Sequence, residues 1–352
     1  MRYLLLRLKR FFGFITGFVF FISGLFKLMD PVGAGLVMNE YYDFLHLGFL
    51  SFSSKLAGTA FAMAEVIIGA GLITGVWRRT IATAAIILQV FFTLLTALLA
   101  VFNPEMDCGC FGEAIHLTHK QTLIKNLILL ALLLAYYIPG KHLGETSRKK
   151  YISFAVVAVS TVAFTVYSWT YIPLVDYTAY KPGAELTLNA ETDIDGMYES
   201  VFVYEKDGVQ QIFTLGHLPD TSWTFISTQT RAIEGKEEKH AGLSFYNAAD
   251  GEYMDSLAID GKVMVISIYD TSISEKSWKK IEKFSERADN AGFRTLILCV
   301  SDDDIPSSLK GSAYVSDYKT LISLNRSNGG ATYFHNGVLI RKWADANLPD
   351  LK

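Results

Sequence analysis

Apolar residues fall in long unbroken blocks in the first half of this chain and in short runs between charged stretches in the second. The blocks near 11–29, 56–76, 81–102, 122–138 and 151–172 approach the ~20 apolar residues that a helix needs to span a bilayer. The fourth is the shortest. A basic lead, Arg2, Arg7, Lys9 and Arg10, precedes the first block. That resembles a signal peptide, but the apolar run is long and no small-residue cleavage site follows, so an uncleaved anchor is expected.

After Pro173 the pattern changes. Runs at 200–204 and 210–214 flank Lys206-Asp207-Gly208, and runs at 242–246 and 253–257 flank Asp250-Gly251; both predict hairpins. The run 263–269 predicts a buried strand. The stretch 274–291 predicts an amphipathic helix with Trp278, Ile281 and Phe284 on one face. A second buried strand follows at 295–300. Segments 331–335 and 338–343 predict a hairpin around Asn336-Gly337. The expected organisation is a membrane bundle over 1–140, a linker and fifth span over 141–172, and an outer α/β domain over 173–352. That domain divides into a strand-rich part (173–258) and a core (259–352).

Charge sharpens this division. The chain is 51% hydrophobic and 19% charged, against about 25% charged in an average soluble domain. Residues 1–172 hold 14 Lys+Arg and 8 Asp+Glu; residues 173–352 hold 18 and 27. No basic stripe with interleaved aromatics occurs, so no nucleic-acid partner is expected. Three basic clusters fall on one side of a five-pass arrangement: the N-terminal lead, Arg78 with Arg79, and Lys141 with Arg148, Lys149 and Lys150. The positive-inside rule then predicts a cytoplasmic N-terminus and an extracytoplasmic C-terminal domain.

Between the third and fourth blocks lies Asn103-Pro104-Glu105-Met106-Asp107-Cys108-Gly109-Cys110-Phe111-Gly112, with two of the three cysteines in the chain. Thr118 and Gln121 form a capping box that starts the next helix. Three readings of Cys108 and Cys110 stay open. A structural disulfide suits an oxidising compartment, but bridging i to i+2 removes little unfolded-state entropy. A redox-active pair suits the strain of so tight a bridge, which makes it labile; Glu105, Asp107 and Glu113 would raise its thiol pKa values. A soft-metal site (Cu or Zn) could draw on Cys108, Cys110, His116 and His119. Cys299, in an apolar run, is expected in a core.

Inside the blocks, Glu65 is costly unless paired or neutral. It shares a helix face with Gly58, Ala62 and Gly69. Gly13, Gly17, Gly24 and Lys27 mark a similar face on the first helix. Glu65, Lys27 and Asn126 are expected to form a polar clasp or part of an active site, and Gln89 an interhelical hydrogen bond.

The segment Ser23-Gly24-Leu25-Phe26-Lys27-Leu28-Met29-Asp30-Pro31, then Ala64-Glu65 with Gly69, Trp77-Arg78-Arg79, the Asp-Cys-Gly-Cys-Phe-Gly element at 107–112 and Asn126 resemble the DoxX-like superfamily, and within it the methylamine-utilisation MauE family. The likeness covers roughly 8–140. It implies a four-helix membrane domain with an accessory thiol-redox role toward exported or periplasmic thiol proteins, beside a thioredoxin-like partner. The outer domain itself resembles a thioredoxin-like fold without its C-x-x-C pair; Ser274-Glu275-Lys276-Ser277 stands where the pair would, and Asn328-Gly329-Gly330-Ala331 where a cis-proline would. The expected function is thiol–disulfide exchange at Cys108 and Cys110, with no certain cofactor and a quinone as candidate electron acceptor. A non-enzymatic scaffold that presents an inactive module is the alternative.

Overall fold

The computed structural model describes residues 2–104, 106–115, 117–137, 146–187, 198–206, 209–214, 219, 223–232, 240–303 and 305–351. The chain divides into two compact units, Met1–Tyr177 and Thr178–Lys352.

The first unit is helical: α1 (Arg2–Met29), α2 (Pro31–Phe44), α3 (Ser54–Thr74), α4 (Arg78–Phe102), the short extended segment β1 (Cys110–Glu113), α5 (His119–Tyr137) and α6 (Arg148–Thr170). Helices α1, α3, α4 and α5 pack on one another, and α6 lies against α3 and α1. Glycine sets the α1–α3 spacing. A Cβ on Gly24 would fall 2.5 Å from the Ala62 carbonyl, and one on Gly69 would fall 2.6 Å from that of Gly17. In lipid, helices gain little from apolar burial, so close backbone packing at small residues holds them together. Gly58 departs from the expected face and meets Ala34 of α2.

Among the described residues, four helical stretches are long and apolar enough to cross a membrane: Arg7–Met29, Gly48–Thr74, Arg78–Phe102 and Arg148–Thr170. Five were expected. Helix α5 is long enough, at 19 residues, but Lys120, Gln121, Lys125 and Asn126 dilute the hydropathy of its first turns. It still buries Asn126, Leu129, Leu133 and Tyr136 in the bundle. Its start follows the expected capping box: the Thr118 amide donates to Gln121 Oε1 at 3.1 Å, and the Gln121 amide donates to Thr118 Oγ1 at 3.3 Å. Outward-facing Phe11, Phe18, Leu94, Val101, Val159 and Val166 are exposed in the isolated chain, as surfaces facing acyl chains would be.

The second unit is α/β. A seven-stranded mixed sheet runs β6-β2-β11-β10-β7-β8-β9. Its strands are β2 (Glu185–Thr187), β6 (His240–Gly242), β7 (Lys262–Ile268), β8 (Arg294–Cys299), β9 (Ala313–Val315), β10 (Gly330–His335) and β11 (Val338–Trp343). Strands β7, β8 and β9 are parallel, and β10 is antiparallel to β7 and β11. Strands buried on both faces explain the near-continuous apolar runs in β7 and β8. Met264 and Ile266 pack with Trp278, Ile281 and Phe284 of α7 (Glu275–Asn290). Val263 and Val265 pack with Leu321 and Leu324 of α8 (Tyr318–Leu324). Asn336 and Gly337, at φ +49° and +76°, make the β10–β11 turn.

A separate three-stranded sheet orders β4 (Val209–Thr214), β3 (Tyr198–Lys206) and β5 (Thr224–Ala232). The predicted pairing of the first two strands is present, and its turn residues Asp207 and Gly208 lie outside the described residues. The hairpin expected at 242–246 and 253–257 is not formed. Its first strand ends at Gly242 and pairs in parallel with β2, leaving a single bridge between Tyr246 and Tyr253. Three hydrogen bonds around Asn247 and Asp250 fold the intervening residues into local turns that compete with a ladder.

Candidate functional site

Helix α1 presents Ser23 and Lys27 four residues apart, and so on one face. Both reach Glu65 of α3. Lys27 Nζ donates to Glu65 Oε1 at 2.5 Å, and Ser23 Oγ lies 2.7 Å from Glu65 Oε2. The Glu65 side chain is 2% exposed and that of Lys27 14%. A charge at such a place is retained only when paired and hydrogen-bonded. Ser23 Oγ also lies 2.5 Å from the backbone carbonyl of Cys110. One serine therefore connects the ion pair to the cysteine loop.

Helix α2 holds the loop from another side. Asp30 caps it by accepting from the Gly33 amide at 2.9 Å, with Pro31 at the first helical position, a favoured pairing. Its Tyr41 donates to the Cys108 carbonyl at 2.7 Å. Burial, and then the two neighbouring cysteines, push the Tyr41 phenol far above its ordinary range, so it stays a neutral donor. Gly109 has φ +56°, and a Cβ there would fall 2.2 Å from Val37 Cγ1. Only glycine fits between the two cysteines.

Cys108 and Cys110 are free thiols in unequal surroundings. Cys108 is 4% exposed, whereas Cys110 is half-buried. Burial pushes the Cys108 thiol pKa up; the adjacent Cys110 and Asp107 push the same way, while Thr122 and Lys125 oppose them. Of the carboxylates expected to raise the thiol, Asp107 does so, behind burial and Cys110, and Glu105 lies outside the described residues. The Thr122 hydroxyl is wholly buried with no well-formed hydrogen bond. Its contact with Cys108 falls short of one, yet its dipole still favours the thiolate.

A cavity of about 310 Å³ joins these groups; Ser23, Lys27, Tyr41, Glu65, Cys108, Cys110, Lys125 and Asn126 line it. Phe61, Phe91 and Phe92 line it as well, with the Phe61 and Phe91 rings stacked at 5.7 Å. All five residues picked from the sequence for redox or intramembrane roles therefore face one space. The expected three-member clasp is not formed, however. Asn126 turns to α4, donating to Thr96 Oγ1 at 3.1 Å, and Gln89 Nε2 donates to its carbonyl at 3.0 Å. Thr96 and the Phe92 carbonyl, one turn apart on α4, take the side-chain amide before it can reach Glu65.

The metal alternative loses a ligand. The ring nitrogens of His119 face Asn103 Oδ1 at 3.3 Å and the Met106 carbonyl at 3.0 Å. His116 lies outside the described residues. Among the described residues no group of three or more His, Cys, Asp or Glu could hold a metal ion. Cys299 is fully buried, with its thiol 3.2 Å from the Tyr314 carbonyl. Burial pushes its pKa up to about 12.

Sequence reasoning missed Ser23 as a site residue, along with Tyr41 and Thr122. Asp30-Pro31 was the available signal for Tyr41: an N-cap followed by an N1 proline announces α2. Ser23 stands one turn before Lys27, and that spacing was its physical signal.

Residues 4–139 match the family model described as Methylamine utilisation protein MauE, a span that contains every residue of the cavity wall. Residues 198–235 match one described as Domain of unknown function (DUF8463). No curated protein and no solved structure matches the chain.

Proposed function

We propose that this protein is a multi-pass thiol-redox accessory protein of the cytoplasmic membrane, exchanging disulfides with exported or periplasmic thiol proteins through Cys108 and Cys110. One observation carries the reading: both thiols line the same cavity as a buried Lys27–Glu65 pair. Intramembrane ionisable groups are functional by default, and this pair stands in the same cavity as two thiols. The match of residues 4–139 supports a MauE-like accessory role in methylamine utilisation or in a related maturation. The basic clusters support a cytoplasmic N-terminus and an outward-facing cysteine loop.

Disulfide formation removes two electrons. The apolar, aromatic wall of the cavity favours a lipid-soluble quinone as their acceptor. The second unit carries the strand order β11-β10-β7-β8 with helices on both faces, which supports a thioredoxin-like core. Where that fold would hold its cysteines, Ser274 caps α7 by accepting from the Ser277 amide at 3.2 Å. The outer unit then binds or positions a partner, and the redox chemistry stays with the loop.

The test is to trap thiol states in growing cells with an alkylating mass tag. Cycling of Cys108 and Cys110 between dithiol and disulfide is expected, as is loss of function in a Cys108→Ser/Cys110→Ser variant. A pair that never changes state, in a protein whose double variant still complements a deletion, rejects the proposal.

A further inference from the structure

Resting on that exchange reading, the structure assigns unequal roles to the two thiols: Cys110 is the sulfur that meets the exported partner, and Cys108 is the resolving sulfur, with Thr122 as its positioning residue. Three observations point the same way. Cys110 is half-buried while Cys108 is 4% exposed, so an incoming sulfur reaches Cys110 first. The Thr122 hydroxyl is buried, lacks a well-formed partner and lies against Cys108. Such a donor is costly to leave unmade, and a thiolate at Cys108 would complete it. Lys125 also favours charge at Cys108; its ammonium sits 4.8 Å from the centre of the Phe111 ring.

In the oxidised protein a partner thiolate attacks Cys110 Sγ. The Cys108–Cys110 bond breaks, Cys108 leaves with the electron pair as thiolate, and a Cys110–partner disulfide forms. The partner's second thiolate then attacks its own sulfur in that bond and Cys110 leaves as thiolate. The partner has lost two electrons and the loop has gained them. A quinone takes two electrons and two protons from the dithiol and restores the bridge. A leaving thiol needs its thiolate stabilised; burial works against that at Cys108, and Thr122 and Lys125 are the groups that offset it.

The experiment uses full-length reduced protein in phosphatidylcholine–phosphatidylglycerol nanodiscs and the water-soluble aromatic disulfide of thionitrobenzoate. A reacting thiolate takes one half of the probe and releases the other as a coloured thiolate. Cys108→Ser, which retains Cys110, is expected to react on the order of tenfold faster than Cys110→Ser, with peptide mapping to separate any Cys299 adduct. Equal rates or the reverse order overturn the assignment. Single-hit labelling of the wild type, which needs no variant to fold, is expected to mark Cys110 first; Cys108 first overturns it. Thr122→Val is expected to slow cleavage of the wild-type bridge by dithiothreitol about tenfold, and Thr122→Ser to retain the normal rate. No slowing, or equal slowing by both, removes Thr122 from the assignment. Reversed reactivity with normal cycling in cells defeats this assignment alone, whereas absence of cycling defeats the exchange reading.

Discussion

Cys108 and Cys299 are both buried thiols, yet the two units surround them differently. Cys299 is enclosed by apolar side chains, with the Tyr314 carbonyl as its polar neighbour. Cys108 has a hydroxyl, a lysine and a second thiol around it, at the edge of a cavity. Buried polar groups divide the same way. In the second unit Asn325, fully buried, donates to the carbonyls of Ala331 and Trp343 at 3.2 Å and accepts from the Ser327 amide at 3.0 Å. It serves backbone groups that the sheet leaves open. Glu65 and Lys27 serve no backbone group, since their helices are already hydrogen-bonded. Burial alone therefore does not mark a site. Charge placed where the fold has no use for it does.

The largest expected effect tests that distinction. Glu65→Ala should cost about 3–5 kcal/mol by stranding Lys27, measured by denaturation in detergent. Adding Lys27→Met should recover most of it without restoring thiol exchange. Recovery of both would make the pair purely structural and erase the contrast. Phe284→Ala should cost about 3–5 kcal/mol in the second unit through the cavity it leaves, while the thiol reactivity of the loop stays unchanged. Gly24→Ala should cost about 1–3 kcal/mol by overpacking the α1–α3 contact; a thermal scan that shows no loss would refute the close crossing.

A pH series separates the two thiols further. Cys299 has a folded pKa of about 12 against an ordinary value of 9.0. Between those values the unfolded chain releases a proton that the folded chain keeps. Its contribution is therefore complete below pH 9 and is lost as pH rises toward 12, at no more than about 1.4 kcal/mol per unit. Cys299→Ala should flatten that slope in denaturation curves. Smallest of all, Thr118→Ala and Ser274→Ala should each cost about 1 kcal/mol as N-caps of α5 and α7, readable by thermal melts.

Much of the fold was legible because local chemistry and burial agree. The Thr118–Gln121 box, the Asn336-Gly337 turn and the Trp278–Ile281–Phe284 face all hold in the structure. The site was half legible. Unusual residues in apolar blocks pointed to Glu65, Lys27 and Asn126, and rarity pointed to the cysteines. What the sequence could not convey was which neighbours compete for them. Asn126 met Thr96 first. Helix α2 stayed hidden because it is short and carries no long apolar run. Strand β6 found β2, which is far away in sequence, in place of its neighbour.

The Ser23 hydroxyl has a single hydrogen and faces two acceptors, the Glu65 carboxylate and the Cys110 carbonyl. It can serve one fully only by neglecting the other. Whatever engages the Glu65 oxygen releases that hydrogen to the peptide next to the cysteines, and whatever loosens the carboxylate's other contacts draws it back. Ser23 thus ties a carboxylate inside the helical bundle to a peptide of the cysteine loop through the sharing of one O–H bond.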